Sequence, residues 1–160
     1  MEIRDFLSPD RTVTALRVSD KNRLLLDLAQ RAATILGLPA EQVSAALLKR
    51  EELGSTGTGA GVAIPHARLP GIGKPFGLLV RLDKARLDKA IDFDSVDGRK
   101  VDVVFVLLLP ASAQGEQLNA LAAAARALRD PDTIRKVRGA VDGAALYRAV
   151  IEIAGRPKSA

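Results

Sequence analysis

Apolar residues recur at helical spacing soon after the start of the chain: Leu24, Leu28, Ala32 and Ile35 or Leu36 fall on one face. Ser19 or Asp20 can cap that helix and Gly37 can end it. A second helix is predicted from about Pro39 to Glu52, with an apolar stripe of Val43, Ala46 and Leu47. The next place on that stripe, at i+7 from Val43, is Arg50. From Gly54 to Gly61 four glycines in eight positions predict a loop, since glycine weakens helix and strand alike. A short strand, Val62-Ala63-Ile64, then ends at Pro65-His66.

Period-two and continuous apolar runs take over beyond that point. Phe76 to Leu82 and Val101 to Leu109 read as strands, the second apolar on both faces and so suited to the buried middle of a sheet. Leu118, Leu121, Ala122, Ala125 and Leu128 mark a further helix, a shorter turn after Pro131 carries Ile134 and Val137, and Asp142 can cap a last helix reaching about Ala154. The pattern predicts an α/β fold: a mixed, largely parallel sheet flanked by helices on both faces. Chemistry in such folds gathers beyond the carboxyl ends of strands. His66 and the segment from Pro110 to Gln117 are expected to share one rim.

The length of 160 residues fits one domain, expected over 1–155, with 156–160 a flexible tail. The 48% apolar and 27% charged content is that of a soluble globular protein, which removes disordered and fibrous classes. The longest apolar run, Val103 to Leu109, falls far short of the roughly 20 residues of a membrane-spanning helix. The mixed-charge start, Met1-Glu2-Ile3-Arg4-Asp5, does not resemble a secretory signal, so a cytoplasmic location is expected.

Without cysteine there is no disulfide or thiolate chemistry, and a single histidine leaves zinc without its usual ligands. The net charge of +5 raises the question of nucleic acid. Acidic residues interrupt the basic ones, as in Arg81-Leu82-Asp83-Lys84, and aromatic residues for stacking are only 3% of the chain. The charge therefore reads as a solvated surface, with an acidic protein partner second.

A lone histidine is most often structural. The setting of His66 argues otherwise: a proline fixes the backbone before it, a glycine-rich loop precedes it, and a strand end presents it. Neutral imidazole is a good nucleophile near neutral pH, with an unperturbed pKa of about 6.5. It can accept a phosphoryl group directly. The glycine loop lacks the lysine and hydroxyl residue that close a nucleotide-binding P-loop, because Gly59-Ala60-Gly61 runs into Val62-Ala63. Ser55, Thr56 and the loop amides remain candidate donors to phosphoryl oxygens. Arg50 ends the helix just before that loop, where a guanidinium can neutralise phosphate with two parallel hydrogen bonds. Arg68 reads as a solvated or rim residue.

Leu47-Leu48-Lys49-Arg50-Glu51-Glu52 followed by Gly54-Ser55-Thr56-Gly57-Thr58-Gly59-Ala60-Gly61-Val62-Ala63-Ile64-Pro65-His66 resembles the signature of enzyme IIA of the fructose and mannitol type. The Gly-Ser-Thr-Gly wording is most similar to the nitrogen-regulatory branch of the bacterial phosphotransferase system. Asp5-Phe6-Leu7, Val101-Asp102 and a closing helix through Leu146-Tyr147 extend the resemblance over nearly the whole chain. It implies a histidine phosphorylated by a histidine-containing phosphocarrier protein, itself charged from phosphoenolpyruvate through an enzyme I. His66 is then the phosphorylated residue, Arg50 steadies the phosphoryl group, and Ser55 and Thr56 belong to the active-site loop.

The chain departs from the pattern in one place. Many relatives have a second histidine early in the helix after the buried strand, where this sequence reads Leu118-Asn119-Ala120-Leu121. Asn119 is kept as a candidate phosphoryl-binding residue, since it can donate a hydrogen bond, but it cannot become cationic. The expectation is a phosphotransferase that works mainly as a regulator, binding target proteins according to its phosphorylation state, without cofactor, metal, nucleic acid or membrane insertion. Two rivals stand beside it: a sugar-transport IIA that passes its phosphate to a IIB domain, and a binding module whose His66 is structural.

Overall fold

The computed structural model describes residues 1–82, 90–112 and 114–154, the last stretch by backbone alone at 114, 116, 117, 153 and 154. Its described strands are β1 (Thr12–Leu16), β2 (Gly57–Gly59), β3 (Val62–Ala63), β4 (His66–Leu69), β5 (Phe76–Leu82) and β6 (Val103–Pro110). The helices are α1 (Lys21–Leu36), α2 (Ala40–Glu52), α3 (Gln114–Arg129), α4 (Pro131–Gly139) and α5 (Gly143–Ala154). The predicted tail 156–160 lies outside the described residues.

One mixed sheet runs in the order β1-β5-β6-β3-β2, with β4 also paired to β6. The β1–β5, β3–β6 and β4–β6 pairs are parallel, whereas β5–β6 and β2–β3 are antiparallel. All eight residues of β6 are buried, as its continuous apolar run requires of a strand covered on both faces.

Alternate residues of β6 serve opposite layers. Val104, Val106 and Leu108 pack with Leu24, Leu28, Val43 and Leu47 under α1 and α2. Val103, Phe105, Leu107 and Leu109 pack with Ala120, Ala124, Val137 and Leu146 under α3, α4 and α5. Arg81, on β5, is 7% exposed and sends its guanidinium to the carbonyls of Val137, Arg138 and Ala140. It thereby serves the last carbonyls of α4, of which that of Val137 also accepts the Ala140 amide.

Local signals explain several boundaries. Asp20 accepts the Arg23 amide at 2.8 Å to open α1, and Gly37, with φ +70°, closes it. Asp142 accepts the Ala145 amide at 2.8 Å at the start of α5.

The pattern did not predict β1, and the glycine-rich segment and the strand after it also differ from the sequence expectation. The glycine-rich segment is not all loop: Gly57–Gly59 pairs with Val62–Ala63 as a two-residue hairpin, turned by Ala60 (φ 57°) and Gly61 (φ 84°). The strand expected to end at His66 instead stops at Ala63 and restarts as β4 at His66. Pro65 has no N–H to give, so it interrupts the ladder, while its carbonyl still accepts Leu107 N–H at 2.9 Å.

Candidate functional site

His66 opens β4 opposite Leu107 of β6, so its position is fixed by the buried centre of the sheet. The ring lines a cavity of about 580 Å³ between α2 and α3. Ala46, Lys49, Arg50 and Leu53 form the α2 wall, Ala67, Arg68 and Leu109 the sheet side, and Leu118 and Leu121 the α3 side. The start of β4 and the end of β6 thus meet the helix after β6 around one opening.

The ring has a defined orientation. His66 Nδ1 lies 2.8 Å from the carbonyl oxygen of Ile64, two residues back. A carbonyl only accepts, so Nδ1 carries the proton and Nε2 keeps its lone pair. Burial, above all, holds the ring's pKa below the ordinary imidazole value of 6.5; the Ile64 carbonyl pulls it back up, Arg50 lowers it further, and Glu51 opposes Arg50. The neutral, nucleophilic form is therefore the resting form at neutral pH.

Arg50 is half-buried and its Nη1 donates to the Gly54 carbonyl at 3.0 Å. That bond uses one of five guanidinium N–H donors and folds the side chain against the loop beside the cavity.

Ser55 and Thr56 are engaged differently from what their hydroxyls suggest. Ser55 Oγ donates to the Phe93 carbonyl at 2.7 Å and accepts the Gly57 amide at 3.1 Å. Thr56 is buried, and both its amide and its Oγ1 donate to Glu51, at 2.8 and 2.6 Å. Both side chains hold the loop together, and neither is among the cavity-lining residues. Asn119 is exposed on α3 and does not line the cavity either; its neighbour Leu118 does.

Leu53, Leu118 and Leu121, which line the cavity, and Glu51, which holds Thr56, were not among the candidates read from the sequence. Leu53 and Leu118 are 82% and 70% exposed. Two large apolar side chains beside a nucleophile, flanked by Lys49, Arg50 and Arg68, make a face suited to another protein. Arg50 in line with an apolar stripe was the signal for the α2 wall; on α3 the sequence put Leu118, Leu121, Ala122, Ala125 and Leu128 on the inward face, whereas the structure buries Ala120, Ala123, Ala124, Ala127 and Leu128.

The chain matches the family described as phosphoenolpyruvate-dependent sugar phosphotransferase system, EIIA 2, over residues 5–153. It belongs to that family. Among curated relatives, a nitrogen regulatory protein of Bradyrhizobium diazoefficiens is 46% identical over 147 residues, covering 92% of this chain and 93% of the relative. One from Pseudomonas aeruginosa is 36% identical over 154 residues, covering 96% of this chain and 97% of the relative. The crystal structure of the nitrogen regulatory protein IIA-Ntr from Neisseria meningitidis superposes with a TM-score of 0.84 at 29% identity, over 92% of this chain and 98% of that one. The IIA mannitol structure from Escherichia coli shares the fold, with a TM-score of 0.72 at 16% identity over 90% of this chain and 98% of that one. The mixed sheet with helices on both faces is thus the EIIA type 2 fold. Among the described residues no helix is long and apolar enough to cross a membrane.

Proposed function

We propose that this EIIA-type protein is a phosphoryl carrier of the nitrogen-regulatory branch, accepting a phosphoryl group on His66 Nε2 from the phosphohistidine of a small phosphocarrier protein. The observation that carries the reading is the 2.8 Å contact between Nδ1 and the Ile64 carbonyl, which leaves Nε2 as the free nucleophile of a neutral ring.

In the transfer, the Nε2 lone pair forms a bond to phosphorus while the donor's N–P bond breaks, and that bonding pair returns to the donor's ring nitrogen. His66 keeps its Nδ1 proton on the Ile64 carbonyl, which spreads the positive charge the ring acquires. Little covalent work is left to the protein, so positioning and charge neutralisation carry the catalysis. Arg50 supplies the charge: its remaining N–H donors reach phosphoryl oxygens in the cavity, with Lys49 and Arg68 at the rim. Ser55 and Thr56 act through the shape of the loop, and Asn119 at most from outside the opening.

Leu53 and Leu118 form the apolar part of the surface on which the phosphocarrier docks, and target proteins read the same face. The names of the relatives, nitrogen regulatory proteins at up to 46% identity, support regulation as the outcome.

The test is incubation with phosphoenolpyruvate, enzyme I and the phosphocarrier. Acid-labile label is expected on the wild type and absent from a folded His66→Ala variant. Equal labelling of the variant, or an unlabelled wild type, rejects the reading in favour of a structural histidine.

A further inference from the structure

Behind the cavity, the start of α1, the end of α2 and the 55–57 segment meet around one carboxylate. Glu51 is 6% exposed, and its Oε1 lies 2.9 Å from Lys21 Nζ. Its two oxygens also receive the Thr56 amide at 2.8 Å and the Thr56 hydroxyl at 2.6 Å. Lys21 is held in turn: it donates to the Phe93 carbonyl at 3.2 Å and sits 4.6 Å from the centre of the Phe93 ring.

The line of bonds does not end at Thr56. Its carbonyl accepts Ile64 N–H at 3.0 Å, and the Ile64 carbonyl accepts His66 Nδ1–H at 2.8 Å. An unbroken chain of hydrogen bonds therefore runs from the Lys21 ammonium through Glu51, Thr56 and Ile64 to the imidazole.

We propose that Glu51 is a positioning residue for the phosphoryl acceptor: its carboxylate, steadied by Lys21, fixes Thr56 and through it the Ile64 peptide that selects the tautomer of His66. The inference rests on His66 being the acceptor. It assigns the loop's hydroxyl residue to a line behind the ring instead of to the phosphoryl group in front of it. A buried carboxylate carrying three charge-assisted contacts is costly to leave half-paired, so the arrangement is stiff. A stiff backbone carbonyl holds Nδ1 protonated and the ring at one angle, and that geometry presents Nε2 to the incoming phosphorus.

Among the described residues, the charged groups around His66 are Lys49 and Arg50 on α2 and Arg68 on β4, all cationic and on the cavity side. Glu51 is the acidic group that raises the ring's proton affinity. Changes at Glu51 and Lys21 must then move His66 in opposite directions if the line acts as described. Simple loosening of the core would move both the same way.

The experiment is ¹⁵N NMR of the histidine-labelled full chain, in which His66 is the one histidine and gives one set of ring signals. The wild type is expected as the pure Nδ1–H form. Glu51→Gln is expected to average the two ring nitrogens, lower the titration midpoint and slow phosphorylation by about tenfold, as displacement of a reacting group does. Lys21→Met is expected to keep the tautomer and raise the midpoint. Should Glu51→Gln fail to fold, Thr56→Val, which removes one contact to Glu51, carries the tautomer measurement. A folded Glu51→Gln or Thr56→Val with the wild-type tautomer, or midpoints shifting the same way in the Glu51 and Lys21 variants, overturns the proposal. The ring signals need no phosphocarrier, so a wild type that never becomes phosphorylated defeats the carrier reading without deciding this one.

Discussion

Arg138 holds Asp102 by both carboxylate oxygens, Nε to Oδ2 and Nη2 to Oδ1, each at 2.9 Å. The same Nη2 donates to the Ala60 carbonyl at 2.8 Å. One guanidinium thus ties α4 to the start of β6 and to the hairpin turn between β2 and β3. Gly61 makes room for it, since a Cβ there would meet Nη2 at 2.5 Å with φ at +84°.

The first prediction concerns this clamp. Both partners are about one-third exposed, which discounts their attraction, but the two-pronged geometry is of the kind that still counts. Arg138→Gln is expected to cost about 1 kcal/mol, read as a lower urea midpoint, with the rate of His66 phosphorylation unchanged. A full loss of phosphorylation in a folded variant would make the clamp part of the site.

Arg50→Ala is expected to act on the rate and leave the fold alone. A lost charge-assisted bond to phosphate is worth roughly 1.5–3 kcal/mol, or about ten- to a hundredfold in transfer rate. The same variant should raise the His66 titration midpoint, because the Arg50 charge lowers it. Rapid-quench measurement of phosphorylation, with ring NMR alongside, checks both, and wild-type values for both would reduce Arg50 to a helix-end charge.

The burial of His66 sets the expected pH dependence. Its folded pKa lies below the ordinary 6.5, so the acceptor stays neutral and phosphorylation stays level down to that value, falling only as pH drops through the lower folded midpoint. Between the two, the unfolded ring binds a proton that the folded ring does not. The stability His66 contributes is therefore complete above about pH 6.5 and is lost as pH falls toward the folded midpoint. Urea midpoints compared between wild type and His66→Ala across that window provide the check; a difference that grows toward acid pH reverses the sign.

Leu118, not Asn119, lines the cavity on α3. Leu118→His is therefore expected to bring a second titratable ring near Nε2 and to raise onward donation to a fructose- or mannitol-type IIB domain more than it raises acceptance. Asn119→His, exposed and outside the opening, should leave donation where it was. Rapid donation by the unaltered protein would favour the sugar-transport alternative over a regulator that retains its phosphoryl group.

The contrast between Leu118 and Asn119 marks what the sequence could and could not convey. Helices bounded by a cap and a stop, such as α1 between Asp20 and Gly37, were legible because capping chemistry is local. So was β6, whose apolar run admits no exposed face. A helix face turns by about 100° per residue, so naming the right turn of α3 still left the inward residue open by one position. The hairpin at 57–63 was hidden because strands of three and two residues carry no period. Thr56 was ambiguous for a different reason: its hydroxyl fits a phosphate as well as it fits Glu51, and in this structure it donates to Glu51.

The cationic rim of Lys49, Arg50 and Arg68 has a consequence for how a bound phosphoryl group would be noticed. A phosphoryl group brings between one and two negative charges at neutral pH. Set among three cations, it cuts the charge of that patch roughly by half. A partner would then distinguish the two forms by potential and not by shape. Salt would blur that distinction, because exposed charges further apart than about 8 Å are largely screened at physiological ionic strength. The contrast between the two forms would be sharpest in dilute buffer, for acidic partners above all.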